Sequence, residues 1–535
     1  MSITAMVHVS SRNLLLTFGF TVVAVFYYWL QWSSSIPVLG GDHAAYLMMA
    51  DRLSPFGVHG HEVTQYALDY IYFPPLYPLI LGIVGATSAH VVLAHAVTVT
   101  FLIAALIWCF LWTHDETRDA FQSFLLTLAF ALMPTTFFQS FGILSEPLFL
   151  WLTLLAVWLL NRSEFPSSRL YMAASIIGLA AIARTAGVAL IAAFAFYLFL
   201  HKEKLWLRLV SISVAPILIW NALKWVLDYP SGYVWILTTV AEGKPLRFFL
   251  WEKPVNEIHG LWVGWITGFD HTPVMTTIIV ATLVGVACLA GAAQRAHSRK
   301  FDGIYVFFYF AMLLVWPSTP GAQRFMFVVV PILLIQGLLF VSYLLRRFLS
   351  SRLESLGYVY LLVIALVIFP PTGLIFNRLA MAAADSNWKY ARSIYWYSGE
   401  NVKGVLDRNR LQIEAKDRFI VSWQKITQVV GENECIYSVD PTWLMLYANR
   451  PASLTPNART REEFFQKATR CRYVYVASYI HPPYLEFYPR EYLNGGRIVF
   501  ADRIEFGGRE SVLGVLIEMP GRNRPGSGIE QDKQG

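Results

Sequence analysis

Five ionisable residues lie beside apolar segments of this sequence, and their types could carry out group transfer. They are two acids, a histidine and two arginines: Asp42, His43, Glu146, Arg184 and Arg324. Ionisable groups at membrane depth are costly and by default mark function. A carboxylate can take a proton from an acceptor hydroxyl while a phosphate-linked sugar departs, and guanidinium groups bind phosphates through paired hydrogen bonds. These residues therefore indicate transfer from a phosphate-linked donor.

Each of these residues also has a structural interpretation. Asp42 precedes a helical stretch and Glu146 stands before a proline, so either acid could cap a helix N-terminus. Arg184 and Arg324 stand at predicted helix ends, where arginines extend towards lipid headgroups. Taken singly, every residue leaves both alternatives open.

Signals for metals and cofactors are weak. His59, His61 and Glu62 offer possible ligands, but their spacing matches no strong zinc pattern, so no metal residue is assigned. The sequence has no Walker loop and no glycine-rich fingerprint between a strand and a helix, which argues against nucleotide binding in the usual soluble manner. No cofactor is predicted with certainty, and a divalent metal stays an open option.

Apolar composition places the site residues in a membrane protein. Hydrophobic residues make up 56% and charged residues 14% of the 535 positions, which leaves too little polar surface for a soluble globule. Aromatic residues, at 15%, suit the headgroup level of a bilayer. The formal charge of +7 comes largely from short loops between apolar segments. A lipid bilayer is therefore the predicted partner, and nucleic acid is not.

Hydropathy predicts about eleven transmembrane helices. They cover residues 12–32, 89–112, 119–134, 141–160, 170–183, 186–201, 205–228, 274–293, 303–317, 324–346 and 357–376. The stretch 170–201 is interrupted only around Arg184, so it must be two short helices or one bent helix. Residues 75–86 are apolar but too short to cross alone, and a helix near the interface is expected there.

Basic residues predict the orientation. With the N-terminus in the cytoplasm, the predicted cytoplasmic side carries thirteen lysines and arginines, against six or seven on the other side. The five candidate site residues then share the extracytoplasmic surface. The only Asn-x-Ser/Thr sequence, at Asn161, falls on the cytoplasmic side. A bacterial inner membrane is therefore the expected location.

An odd number of spans places everything after Phe376 outside. Residues 385–519 carry short β-rich segments and two helix-like stretches, which predicts a small external α/β domain. Cys435 and Cys471 stand at the starts of two predicted strands, so a disulfide between them is sterically reasonable; two buried free thiols are the equal alternative. Residues 520–535 are predicted to be a disordered tail.

The motifs around the site residues resemble those of the GT-C superfamily of polyprenyl-phosphate-dependent glycosyltransferases, especially bacterial relatives of protein O-mannosyltransferases and the lipid A aminoarabinose transferase. The likeness covers residues 12–376. It is carried by Gly41-Asp42-His43, by Phe73-Pro74-Pro75-Leu76-Tyr77-Pro78 and by Arg324-Phe325 followed by Pro331. The family usually has Asp-Glu where this sequence has Asp42-His43.

The resemblance implies an α-helical, GT-C-like membrane domain over residues 1–384, with a first external loop at about 33–75. It implies inverting transfer of a sugar from a polyprenyl-phosphate donor to a hydroxyl of a lipid, glycan or protein acceptor. Asp42 would be the base or acceptor orienter, Glu146 a supporting acid, and Arg184 and Arg324 the phosphate ligands. The role of the second motif position, His43, is left open. Basic residues of the long loop after the seventh span are weaker candidates: Lys244, Arg247 and Lys253.

The competing functional class is a transporter or flippase of a lipid-linked or anionic solute. Such a protein would also place charges beside a membrane cavity. Charged residues at the midplane and inverted hydropathy halves, which many secondary transporters have, are not evident in this sequence. A large external loop and an external domain also suit recognition of an acceptor better than alternating access. The sequence therefore favours the transferase.

Overall fold

The computed structural model describes most of the chain. The described residues are 11–32, 41–60, 62–64, 73–162, 166–226, 247–270, 273–316, 322–348, 356–384, 419–477, 487, 490–506 and 509–520. Sequence predictions that fall outside them concern His61, Lys244 and residues 521–535 of the predicted tail. Parts of the predicted first loop (33–40 and 65–72), of the predicted long loop (227–246) and of the predicted C-terminal domain (385–418) also lie outside them.

Helices account for nearly all described residues up to position 384, because a helix satisfies its own backbone groups where lipid offers no hydrogen bonds. In chain order they are α1 (Ser11–Trp32), α2 (Gly41–Leu53), α3 (Leu76–Ile83), α4 (Val91–Thr117), α5 (Ala120–Leu132), α6 (Pro134–Ser140), α7 (Glu146–Asn161), α8 (Ser167–Ala183), α9 (Gly187–Leu200), α10 (Trp206–Val226), α11 (Lys253–Phe269), α12 (Met275–His297), α13 (Phe301–Val315), α14 (Ala322–Phe348) and α15 (Leu356–Ala384). A 3₁₀ turn (Ser88–His90) precedes α4, and a π-helical turn (Phe248–Glu252) precedes α11.

Five of these helices are long and apolar enough to cross a bilayer: α4 with its preceding turn, α10, α12, α14 and α15. The pair α5 and α6, bent by 64°, makes a sixth candidate if it is counted as one span. Shorter apolar segments in α1, α7, α8, α9 and α13 coincide with the other predicted spans. A helical architecture with at least five candidate spans is therefore confirmed. The number eleven stays a prediction, because a helix shorter than about 18 residues crosses only where the surroundings shorten its path.

The ambiguous stretch 170–201 is two helices. Helix α8 ends at Ala183, Arg184 has an extended backbone (φ −148°, ψ 144°), and α9 begins at Gly187. A Cβ at Gly187 would lie 2.4 Å from the Cα of Ala181, so the chain can turn this tightly only with glycine there. Arg184 is thereby placed between two helix ends.

The prediction of a long loop after the seventh span is wrong for residues 253–269, because these residues form α11. Polar residues in the first turns lower the mean hydropathy of this segment, so it does not look like a span. Two of them, Lys253 and Glu257, form an ion pair at 2.9 Å and support the helix, because residues four apart lie on the same helix face. Further along, Trp265 and Phe269 are buried in the helical bundle. Tertiary packing therefore stabilises a helix that hydropathy alone does not reveal.

Partly buried ion pairs join helices at the end of the bundle opposite Arg324, which we call the distal end. Arg295 of α12 donates to both carboxylate oxygens of Glu116, at 2.8 and 3.1 Å, and also contacts Asp302. Gln336 of α14 donates to Asp302 at 2.9 Å. These contacts connect α4, α12, α13 and α14. Each charge has an opposite partner, which offsets the free-energy cost of removing it from water.

The C-terminal region forms one five-stranded mixed sheet, as the prediction of a small α/β domain requires. Its strands are β1 (Ile436–Ser438), β2 (Ala452–Leu454), β3 (Tyr473–Ala477), β4 (Arg497–Phe506) and β5 (Arg509–Glu518), in the order β2-β1-β3-β5-β4. Strand β1 runs parallel to β2 and β3, while β5 runs antiparallel to β3 and β4. Helical residues 419–426, turns at Pro441–Trp443 and Leu444–Ala448, α16 (Arg461–Lys467) and a short turn at Arg490–Leu493 complete it.

A disulfide joins Cys435 to Cys471, with their Cα atoms 4.6 Å apart. The two residues precede β1 and β3, which are parallel neighbours, so the sequence alternative of a bridge is the one observed. Cys109 and Cys288 are unbonded and buried.

The C-terminal domain packs against α2 through the turns at Pro441–Trp443 and Leu444–Ala448, and its sheet shares an apolar core with that helix. One face contributes Tyr475 and Leu516 to an apolar cluster that also contains Ala45 and Met48 of α2 and Trp423. The other face packs against α16. The predicted first external loop and the C-terminal domain therefore share one core.

Candidate active site

Four separate elements bring two acids and two arginines together at one end of the bundle. Asp42 lies in the first turn of α2, Glu146 begins α7, Arg184 lies between α8 and α9, and Arg324 lies in the first turn of α14. The Arg324 guanidinium contacts Asp42 through Nη1 and Glu146 through Nε. Nη1 of Arg184 lies 2.6 Å from Oε1 of Glu146. Two carboxylates and two guanidiniums thus form one network in which the formal charges cancel.

Glu146 is the centre of this network, and its contacts exclude a role as a helix cap. Its side chain is fully buried, and Oε1 contacts both arginines. The second oxygen, Oε2, is buried with no hydrogen-bond partner among the described residues. A buried polar atom without a partner costs free energy, so such atoms call for an explanation. A donor hydrogen from a bound ligand would satisfy Oε2.

Asp42 is the more accessible acid. About 32% of its side chain is exposed, whereas that of Glu146 is fully buried. Burial raises the pKa of the Asp42 carboxyl, but the charge and hydrogen bond of Arg324 outweigh this effect. The pKa of Asp42 therefore lies below its ordinary value, and the group is ionised at neutral pH. An ionised, accessible carboxylate is what proton abstraction from an acceptor requires.

His43 lies beside the network and fixes the position of α2. Its Nδ1 accepts a hydrogen bond from the Ile143 backbone N–H at 2.9 Å, so in the neutral ring the proton is on Nε2. A Cβ at Gly142 would lie 2.5 Å from Cε1 of His43, so glycine is what lets the ring approach this backbone. The bond holds Asp42, the preceding residue, against the segment that leads to Glu146. A catalytic role for His43 stays a prediction.

Two hydroxyl groups support the arginine between α8 and α9. Ser145 Oγ accepts a hydrogen bond from Arg184 Nη1 at 3.3 Å and lies 2.7 Å from the Tyr46 hydroxyl. The Tyr46 ring packs edge-on against Tyr77 and also contacts Phe73, with centroids 5.0 and 4.9 Å apart. The aromatic motif at residues 73–78 therefore positions Tyr46, a function that its sequence alone did not reveal.

The C-terminal domain brings a further acid towards the site, which the sequence did not single out. Asp440 precedes a turn that packs against α2 and accepts hydrogen bonds from Thr442. Burial raises the pKa of Asp440 to about 6, and the negative charge of Asp42 acts in the same direction. The two carboxyl groups are therefore within electrostatic reach, although they lie far apart in the sequence.

His59, a weak metal candidate in the sequence, connects α2 to the C-terminal region. Its Nδ1 contacts Oδ2 of buried Asp51, and its Nε2 lies 3.2 Å from the Leu446 carbonyl. Ser88 Oγ also donates to Asp51, at 2.5 Å. Both ring nitrogens thus face protein acceptors, and among the described residues no three His, Cys, Asp or Glu side chains are grouped to hold a metal. Glu62 is exposed.

The basic residues that follow the seventh span do not join the network where they are described. Lys253 is held by Glu257 and by the Trp316 carbonyl. The Arg247 side chain is 81% exposed and lies 3.6 Å from Glu252. Both cations thus have local acidic neighbours of their own.

Comparisons with known proteins identify the fold. No model of a known protein family matches the chain, and no curated protein sequence matches it. ArnT from Cupriavidus metallidurans in the apo state is structurally similar, with a TM-score of 0.53 and 13% identity over 95% of this chain and 98% of ArnT. This similarity shows that the two chains share a fold, which is the GT-C fold.

Two further structures have TM-scores just below 0.5. ArnT from the same organism bound to undecaprenyl phosphate gives 0.49, with 12% identity over 95% of this chain and 98% of that one. The archaeal oligosaccharyltransferase AglB from Archaeoglobus fulgidus, in complex with an inhibitory peptide and a dolichol-phosphate, also gives 0.49. Its identity is 13% over 87% of this chain and 69% of AglB. The fold assignment rests on the first comparison.

Proposed function

We propose that this protein transfers a sugar from a polyprenyl-phosphate-linked donor to an acceptor hydroxyl, at the end of the bundle that carries Asp42 and Arg324. The network of two arginines and two acids carries this proposal, because it combines a phosphate clamp with an accessible ionised carboxylate. The GT-C fold and the motifs around residues 41–43, 73–78 and 324–331 support it. The identity of the sugar and of the acceptor is left open.

Donor binding and base activation are coupled in this arrangement. A donor phosphate competes with Asp42 for Arg324, since both are anions that accept from the same guanidinium. Once Arg324 turns to the phosphate, Asp42 loses the partner that holds down its pKa and becomes a stronger base. Glu146 stays between the two arginines and orients them.

Transfer then follows in one balanced step. The acceptor oxygen bonds to the anomeric carbon of the sugar while the bond from that carbon to the phosphate oxygen breaks. Asp42 takes the proton of the acceptor hydroxyl, and the polyprenyl phosphate leaves with the bonding electrons. Arg184 and Arg324 stabilise the negative charge that develops on the leaving phosphate.

The decisive experiment follows donor cleavage by the purified full chain in lipid vesicles. Polyprenyl phosphates carrying different radiolabelled sugars are supplied together with a bacterial membrane extract as acceptor. We expect one donor to be consumed and its label to appear on a lipid, glycan or protein. Movement of an intact labelled lipid between leaflets, without cleavage of any donor, would instead identify the protein as a flippase.

We also propose that the active site and the C-terminal domain lie on the extracytoplasmic face of a bacterial inner membrane. The bias of basic residues supports this orientation, and the apolar core that α2 shares with the C-terminal domain supports a shared side for both. The four native cysteines are buried or disulfide-bonded, so the unmodified protein is a low-background control for thiol labelling.

In right-side-out membrane vesicles, we expect an impermeant maleimide to label Glu432→Cys, on the exposed surface of the C-terminal domain. The same reagent should leave Arg346→Cys, at the exposed distal end of α14, unlabelled until the vesicles are opened. The reverse pattern would invert the proposed orientation of the protein.

A further inference from the structure

A polar cavity of about 460 Å³ opens at the distal end, far from the network around Arg324. It lies where α4 and α7 end and where α8 and α13 begin. Its polar lining consists of four basic residues, two acids and an amide: Arg118, Arg162, Arg169, Lys300, Asp115, Glu116 and Asn161. The volume falls within the range of ordinary ligand sites, about 300 to 1,000 Å³.

The cavity has an excess of positive charge. Its four basic side chains face two acids, Asp115 and Glu116. Arg162 already donates to Asp115 at 2.5 and 3.1 Å, and Arg295 from behind the cavity neutralises Glu116 and Asp302. Arg169 has a further contact of its own, and without it four cations face three anions. The remaining excess of about one positive charge matches the single negative charge of a phosphodiester.

A buried amide supplies an unused donor at the same place. Asn161 is only 7% exposed, and its Oδ1 accepts from the backbone N–H groups of Phe301 and Asp302, at 3.0 and 3.4 Å. These bonds fix the orientation of the amide at the start of α13. Its Nδ2 then has no acceptor among the described residues. Asn161 is one of the residues that line the cavity, so a ligand that reaches its amide would satisfy Nδ2.

Tryptophans at the cavity indicate that its ligand belongs to the bilayer. Trp112 and Trp158 contribute to the lining, and the Arg162 guanidinium lies 3.9 Å from the centre of the Trp158 ring. Tryptophan and arginine favour the headgroup level of a membrane, where an apolar body and a polar tip are both accommodated. A basic pocket between helices at this level is suited to an anionic lipid headgroup.

We propose that this cavity binds the phosphate group of an anionic phospholipid from the leaflet at the distal end. Asn161 Nδ2 donates one hydrogen bond to a phosphate oxygen, and Arg118 and Lys300 supply charge. The site is independent of the proposed transfer reaction, since none of its residues contacts the network around Arg324.

The test measures lipid affinity of the purified full chain by native mass spectrometry and by the shift in Tm. Phosphatidylglycerol should bind and raise Tm, whereas phosphatidylcholine should do neither. Asn161→Asp keeps an oxygen to accept from Phe301 and Asp302 but puts a negative charge in the cavity, so phosphatidylglycerol should bind at least tenfold more weakly. Arg118→Gln should weaken it roughly fivefold, equivalent to about 1 kcal/mol for one basic residue.

A matched control is Arg208→Gln, which removes an exposed arginine that lies over Tyr171 and does not line the cavity. It should bind phosphatidylglycerol as the unmodified protein does. Equal affinity in Arg118→Gln and in the control would overturn the proposal, and this comparison holds even if Asn161→Asp folds poorly. A rise in Tm with inorganic phosphate that phosphatidylglycerol does not compete away would also overturn the proposal, because the ligand of the cavity would then be a free anion.

Discussion

Asp42→Asn is expected to lower sugar transfer by about 10²- to 10⁴-fold, the usual contribution of a positioned general base. The substitution removes the proton acceptor but keeps the size of the side chain and an oxygen that can accept from Arg324. Folded protein should therefore reach the membrane in normal amounts. Turnover of the labelled donor by the purified variant measures the effect.

Asp502→Asn is the control for this substitution. Asp502 lies on β4, 3.4 Å from Lys425, and does not contact the network around Arg324. Asp502→Asn makes the same change of carboxylate to amide, and this variant should turn over the labelled donor at the rate of the unmodified protein. If Asp42→Asn also turned over donor normally, Asp42 would only position α2, and the proposed mechanism would lack its base.

Arg324→Ala and Arg184→Ala are each expected to weaken donor binding roughly ten- to a hundredfold, because each removes a charge-assisted bond worth about 1.5 to 3 kcal/mol. Arg324→Lys should restore only part of the affinity, since a point charge lacks the paired geometry of a guanidinium. Arg247→Ala is the control, because that side chain is exposed and outside the network. Titration of each purified variant with a polyprenyl-phosphate sugar measures donor affinity.

The Arg324 substitutions also predict a change in pH dependence. Arg324 lowers the pKa of Asp42 against the opposing effect of burial. Its removal must therefore raise that pKa, and the acidic limb of kcat/KM should move to higher pH in Arg324→Ala but much less in Arg324→Lys. This readout separates a direct effect on the base from a loss of folding, because unfolding lowers the rate without moving the limb. Unchanged donor affinity together with an unmoved limb in Arg324→Ala would mean that the arginine only anchors a helix.

The sequence by itself determined the local features of this protein. Apolar segments long enough to form helices gave the positions of the predicted spans, since hydropathy is a property of neighbouring residues. The same reasoning singled out Asp42, Glu146, Arg184 and Arg324, because charge beside an apolar segment needs a reason wherever it occurs. Short β-rich segments at residues 435–439, 473–477, 497–501 and 512–516 likewise predicted four of the five strands of the C-terminal sheet. Strand β2 reads Ala-Ser-Leu and has no β-branched or aromatic residue that would indicate a strand.

Only the tertiary structure decided which of these residues meet. Asp42 and Arg324 are 282 positions apart, and Glu146 lies 178 positions before the same arginine, so no local pattern specifies their contact. The contact of α2 with the turn that follows Asp440, which brings Asp440 near Asp42, depends likewise on a core shared by distant segments. Helix α11 forms where its apolar side can be buried, although its polar first turns conceal it in the sequence. Hydropathy and residue spacing describe residues that are close together along the chain. An ion-pair network depends instead on how helices that are distant in the sequence pack side by side.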